Sequence, residues 1–398
     1  MRFTINSMLF FYSMVLVFVI GCGSGPKIPS VHEPLDSADW RICAGLDSDD
    51  GQFVGLIDEI KAGKHRSILC QGVVLASEGK TKEALDLFTE ASVKDKTDHR
   101  PHYLAGRVLV EMGRYEEAIA AFERSKERFP NIEVPSERIA RKVMAASGDS
   151  QALDFLSKVN TRKMCPYGCK GLYAKLLHKA GNDNKANEIY NEMIKNNLDE
   201  PSAYVGLAGI HNFAGDYLTE SELLTKATKA KNFKDLSDKQ KADIYYSHAF
   251  SRYNASKYKG AAKALDRAMK LISDRADWWV LAGWIHLKLK NPAVALTMFE
   301  KAATIDGSLA AAHVGRGDCI VALGRPGDAI PPYERARIND KKNTIIILKL
   351  AYAKAVKGDV AATKQLLDEA MAIDKEHLLP DLLKKITDLL PYADKKNK

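Results

Sequence analysis

The chain has 398 residues, 46% of them hydrophobic and 28% charged, with a formal net charge of +8. That balance is ordinary for a folded soluble protein, and length alone predicts two or three domains. A charge of +8 spread over this many residues gives no ground for assigning the chain to nucleic acid.

Residues 1–21 read as a signal peptide. Arg2 supplies the positive start, and Met8 to Ile20 is an apolar run broken only by Tyr12 and Ser13, too short for a comfortable bilayer span. The run ends Val19-Ile20-Gly21-Cys22, which resembles a bacterial lipobox. The resemblance implies cleavage before Cys22 and acylation of that cysteine. Gly23 in place of aspartate favours the outer membrane of a diderm bacterium, facing the periplasm. A plain secretory signal with an incidental cysteine is the alternative. Residues 22–35, with Gly23, Gly25, Pro26 and Pro29, form a tether between lipid and fold.

Residues 36–64 are acidic, with Asp36, Asp39, Asp47, Asp49 and Asp50, and Phe53 to Ile60 has helical apolar spacing. The acids lack the spacing of a calcium loop, so no metal is expected, and the segment reads as an N-terminal helical cap.

A repeat begins after it. From Arg100 to Pro130 two amphipathic helical patterns flank Met112-Gly113-Arg114, with small Gly106 on the first and Ala118 and Phe122 on the second. Stepping 34 residues from Gly106 finds Gly72, Ala140, Ala174 and Ala208. After one step of 41 to Ala249, the interval of 34 resumes at Gly283, Gly317 and Ala351. Sixteen places after each stands a large residue, from Phe88 and Phe122 to Tyr333 and Leu367. Twelve places after each stands a small one, with Glu220 and Thr363 as exceptions. A helix pair this short cannot bury its apolar face alone, so its copies must stack.

This pattern resembles the tetratricopeptide repeat, over most of the chain. The resemblance implies an all-α fold: a right-handed α-solenoid of about nine helix-turn-helix units with N-terminal and C-terminal capping helices. Units one to five occupy 65–241, with an insertion at 232–238 that reads as a solvated loop or a hinge, and units six to nine occupy 242–377. Gly148 sits one place late in the third unit, which predicts a shifted turn. Pro331-Pro332 in the eighth predicts a kinked or late-starting helix. Leu378 to Leu390 is amphipathic and suits a helix sealing the last unit. The segment 378–398 is that cap and a tail.

Among the cysteines, Cys43 and Cys70 flank the cap and are placed to staple it to the first unit, while Cys165-Pro-Tyr-Gly-Cys169 is placed to close a local loop. A thiol-disulfide oxidoreductase using Cys165 and Cys169 is the enzymatic alternative. Three intervening residues and the lack of a surrounding strand pattern disfavour it. Cys319 reads as a small packed hydrophobe. No catalytic motif and no metal or cofactor site emerges, so no enzyme, cofactor or small-molecule substrate is expected.

In repeats of the family that this chain resembles, a concave groove binds protein or peptide partners, chiefly through first-helix positions three before, one after and four after the small residue. Carried onto this sequence, that rule gives Tyr103, Arg107, Tyr246, Phe250, Tyr253, Trp284 and Tyr352, with Phe213 beside the fifth unit's position. The matched positions do not supply the Lys and Asn pairs of a carboxylate clamp. The combined reading is a membrane-anchored scaffold or assembly factor in the bacterial envelope. Similar lipoproteins serve secretins, pili, surface machinery or cell-wall enzymes. A structural part of a motility or secretion machine is the third alternative. The anchor is testable on the mature protein: mass spectrometry of its N-terminus should find a lipid-modified Cys22, and Cys22→Ala should leave it unprocessed or released. An unmodified N-terminus elsewhere would remove the anchor.

Overall fold

The computed structural model describes residues 68–196, 200–373 and 379–396. The signal peptide, Cys22, the tether and the expected N-terminal cap with Cys43 lie outside the described residues. Nineteen α-helices and no strands occur among the described residues. The chain divides into two compact units between Asn197 and Leu198.

In the N-terminal unit the helices are α1 (Ile68–Ser77), α2 (Thr81–Lys94), α3 (Arg100–Glu111), α4 (Tyr115–Arg128), α5 (Ser136–Ser147), α6 (Asp149–Thr161), α7 (Tyr167–Lys179) and α8 (Asp183–Asn196). They form four consecutive pairs, each packed on the next. The small residue of each first helix and the large residue of its second helix are both buried, as are Ala140 and Leu156. A Cβ placed on Gly106 would stand 2.8 Å from the Phe122 ring, so the ring already occupies the space of a side chain. The turn inside a pair needs one residue at positive φ, and Gly113 supplies it at 71° without a Cβ clash. In the third pair Gly148 alone caps both α5 and α6, which is the shifted turn that its late position predicted.

The C-terminal unit contains α9 (Pro201–Phe213), α10 (Tyr217–Ala227), α11 (Asp238–Asn254), α12 (Tyr258–Leu271), α13 (Ala276–Lys288), α14 (Pro292–Ile305), α15 (Ala310–Ala322), α16 (Ile330–Asn339), α17 (Thr344–Lys357), α18 (Val360–Ile373) and α19 (Pro380–Lys396). The first ten form five pairs. The last, α19, packs on α17 and buries Ile386 completely against the final core, in the manner of a cap. The insertion is no solvated loop. Lys231–Asp235 forms a 3-10 turn that buries Phe233, whose ring meets Tyr245 edge-on at 5.4 Å. Ser237 and Gln240 then close a reciprocal capping box at the start of α11. In the eighth pair a 3-10 turn, Pro326–Ala329, takes the place of the second helix's opening residues, and α16 starts late at Ile330 with proline in its first turn.

Phe299 shows what holds neighbouring pairs together. Its ring is fully buried and lies against two glycines, Gly283 of its own pair and Gly315 of the next. A Cβ on Gly283 would fall 2.6 Å from that ring. Gly283→Leu should therefore cost about 1–3 kcal/mol or more by overpacking. Adding Phe299→Leu, which frees part of the space, should recover some of the loss in urea unfolding. An unchanged midpoint for Gly283→Leu would contradict this packing.

Candidate partner-binding surface

Each first helix turns one side toward the second helices and leaves another for contacts elsewhere. In the N-terminal unit, the residue one place after the small residue is a cation in three successive pairs: Arg107 on α3, Arg141 on α5 and Lys175 on α7. Burial, followed by the charges of Arg141 and Lys179, holds the Lys175 ammonium below the usual lysine range. Arg141 is paired with Glu137 one turn earlier, at 2.7 Å. Three cations thus share this register in the N-terminal unit.

The aromatic positions divide three ways. Tyr103 and Tyr253 are buried, which corrects their assignment as groove anchors. Tyr103 packs edge-on against Phe122 at 5.6 Å, and Tyr253 lies against Tyr258 at 5.7 Å. A phenol ring is long enough to fold from a face position into the seam between helices, where it gains more burial than a free surface offers. Tyr246 is half-buried and stacks on the buried Trp278 at 5.1 Å; burial raises its phenol pKa. Phe250, Trp284 and Tyr352 are half-buried. Phe250 meets Tyr217 at 6.4 Å, Trp284 meets Phe299 at 4.9 Å, and Tyr352 packs on the C-terminal core. Phe213, at the end of α9, is 74% exposed, the most exposed large hydrophobic side chain among the described residues.

Beside Phe213, Asn212 donates from Nδ2 to Glu220 Oε2 at 3.0 Å. Glu220 occupies a position that is small in most pairs, and it is only 3% exposed. Burial pushes its carboxyl pKa up to about 8; the Asn212 hydrogen bond opposes this and the Asp216 charge adds to it. On α11, His248 is buried with Nε2 3.1 Å from Thr225 Oγ1. Burial, followed by Arg252 and Arg267, pulls its pKa down to about 4.

Cys165 and Cys169 are joined in a disulfide that closes the approach to α7, and both residues are buried. A thiol exchanger needs an accessible sulfur, which burial denies here. Cys70 is also disulfide-bonded, and the expected partner Cys43 lies outside the described residues. Cys319 is free and fully buried, and burial pushes its thiol up to about 12, so it stays protonated. Among the described residues no cluster of His, Cys, Asp and Glu could hold a metal ion, and no helix is long and apolar enough to cross a membrane.

With this geometry, the comparisons with known proteins agree on the repeat. Residues 75–135 and residues 246–310 match family models described as tetratricopeptide repeat, so the chain carries such repeats in both units. A TPR repeat-containing protein of Methanocaldococcus jannaschii is 29% identical over 143 residues, 34% of this chain and 24% of that protein. The matched part thus spans about a quarter of that relative's length. The crystal structure of the C-terminal part of a TPR repeat-containing protein from Cytophaga hutchinsonii superposes with a TM-score of 0.50 at 12% identity, covering 62% of this chain and 98% of that one. A tetratricopeptide repeat protein from Parabacteroides merdae gives 0.45 at 10% identity, covering 65% and 97%. The fold is an α-solenoid of tetratricopeptide type, and this fold is consistent with protein or peptide binding.

The two buried titrating groups predict a pH dependence. Glu220 has a raised folded pKa, so its contribution to stability is complete below about 4.5 and is lost as pH rises toward 8. His248 has a depressed folded pKa, so its contribution is complete above about 6.5 and is lost as pH falls toward 4. The two slopes oppose each other in the middle, and from about pH 6.5 to 8 the Glu220 slope stands alone. Urea unfolding should show a loss on the order of 1–2 kcal/mol across that interval, absent in Glu220→Gln. An equal loss in the variant would mean that Glu220 is ionised in the folded state.

Proposed function

We propose that this protein is a lipid-anchored scaffold or assembly factor of the bacterial envelope, held on the outer membrane through Cys22 and binding a protein partner along its first-helix faces. The observation that carries the binding part is the set of aromatic side chains left at or beside the face register in the C-terminal unit. Phe213 is largely exposed, and Phe250, Trp284 and Tyr352 are half-buried. Rigid aromatic side chains lose little rotamer entropy when a partner covers them, which suits them to be anchors. The lipobox-like Val19-Ile20-Gly21-Cys22 supports the membrane part. Catalysis has no place in this reading, because tetratricopeptide proteins are generally scaffolds and Cys165 and Cys169 form an inaccessible disulfide.

The four aromatics are not equivalent as tests. Trp284 supports Phe299, so truncating it mixes stability with binding. Phe213 offers the cleaner experiment. A photo-crosslinker at position 213 or 284 in the lipidated protein should capture an envelope partner, and the partner's affinity can then be measured. Phe213→Ala should weaken that affinity at least tenfold, about 1.4 kcal/mol, with an unchanged melting temperature. An unaltered affinity together with no crosslink from either position would place binding elsewhere.

A further inference from the structure

A cleft of about 440 Å³ opens between α10, α11 and the start of α12, on residues that the first-helix faces do not use. Four cations line it: Arg252 from the last turn of α11, then Lys257, Lys259 and Lys263 from the cap and opening turns of α12. None of the four forms an ion pair with a carboxylate among the described residues; Arg252 donates from Nη1 to the Gly260 carbonyl at 3.3 Å. One acid, Glu222, also lines the cleft and leaves a net charge of about +3.

The arrangement runs against the usual economy of helix ends. The N-terminus of a helix carries the positive end of the macrodipole and favours acids. The first turn of α12 contains no acid, its cap Lys257 makes no side-chain capping bond, and its early amide groups stay unclaimed by side chains. Arg252 is partly buried over this same end, and burial together with Arg267 pushes it below the usual guanidinium range. It fits because residue 260 is glycine: a Cβ there would stand 3.2 Å from Arg252 Cδ and 3.3 Å from Nη1. Opposite, Ser221 lines the cleft at 4% exposure, and its hydroxyl makes no hydrogen bond among the described residues.

We propose that this cleft binds a phosphate group, with Arg252, Ser221 and the N-terminal amides of α12 as its donors and the three lysines as its charge balance. A tetrahedral dianion with three acceptor oxygens matches several donors converging from three helices, and it offsets more of the surplus than a single carboxylate would. The phosphate can belong to a soluble phosphorylated molecule or to an anionic lipid headgroup. The site is independent of partner binding on the first-helix faces.

The full-length protein is titrated with inorganic pyrophosphate by calorimetry in a chloride buffer of low ionic strength, and in parallel floated with phosphatidylglycerol vesicles. Saturable binding to one of the two probes is expected, and which one responds identifies the source of the phosphate. Arg252→Gln should weaken it at least tenfold, Ser221→Ala several-fold, and Glu222→Gln should strengthen it. Lys364→Gln, on exposed α18, should leave it unchanged. If circular dichroism shows Arg252→Gln misfolded, the double variant Lys259→Gln/Lys263→Gln, on exposed side chains, serves in its place with the same expected loss. The absence of saturable binding to either probe overturns the proposal, and so does binding that these variants leave intact.

Discussion

A large side chain, often an aromatic ring, pressed onto a residue with almost no side chain is the contact on which this structure depends. Phe122 against Gly106, Phe299 against Gly283 and Gly315, and Tyr333 against Gly317 repeat it along both units. Each ring is buried to within 2% exposure. Such a ring contributes on the order of 1.5–3 kcal/mol by burial, and it does so only if the facing helix comes close enough to touch it with backbone. The glycine or alanine permits that approach, and the approach fixes how the two helices of a pair sit. Because Phe299 also reaches Gly315 in the next pair, the same contact passes the geometry from one pair to its neighbour. Everything at the surface of a unit is placed by this interior register.

That register was legible in the chain because it is periodic, at 34 residues with one step of 41. A small residue, a second small residue twelve places on and a large one sixteen places on recur without regard to surface chemistry. Helix pairs and the sealing helix α19 follow from it, and the late start of α16 follows from Pro331-Pro332. The face residues were harder to read. Tyr103 and Tyr253 occupy face positions by count, yet a tyrosine is long enough to reach the seam between helices, and counting cannot say which way it turns. Tyr246 shows the same limit differently: its fate depends on Trp278, a residue outside the repeat signature that stacks on it from the next pair. The insertion was unreadable for a related reason. Its lysines announce solvent, whereas Phe233 alone decides that it packs.

Charge and aromaticity are distributed unevenly between the two units. First-helix positions that carry Arg107, Arg141 and Lys175 in the N-terminal unit carry Phe250, Trp284 and Tyr352 in the other. A segment bound to the first would be recognised by charge, and so in a salt-dependent way; one bound to the second would be recognised by apolar burial. Glu220 sits in the C-terminal unit where most pairs hold a small residue. Its burial beside Asn212 next to Phe213 ties a titrating group to the most exposed aromatic side chain. The fold supplies a rigid frame, and departures from its own consensus supply chemistry.

In each pair the contact between the large residue and the small one, and not helix propensity, holds the array. Native-state hydrogen exchange on the full chain tests it most directly. The slowest amides should lie around the small positions of the first helices, such as Gly106, Ala174 and Gly283, with faster exchange on the outer turns of the second helices and at α16, whose helix is shortened. Protection that follows helix length or propensity instead, with no maximum at the small residues, would contradict the account.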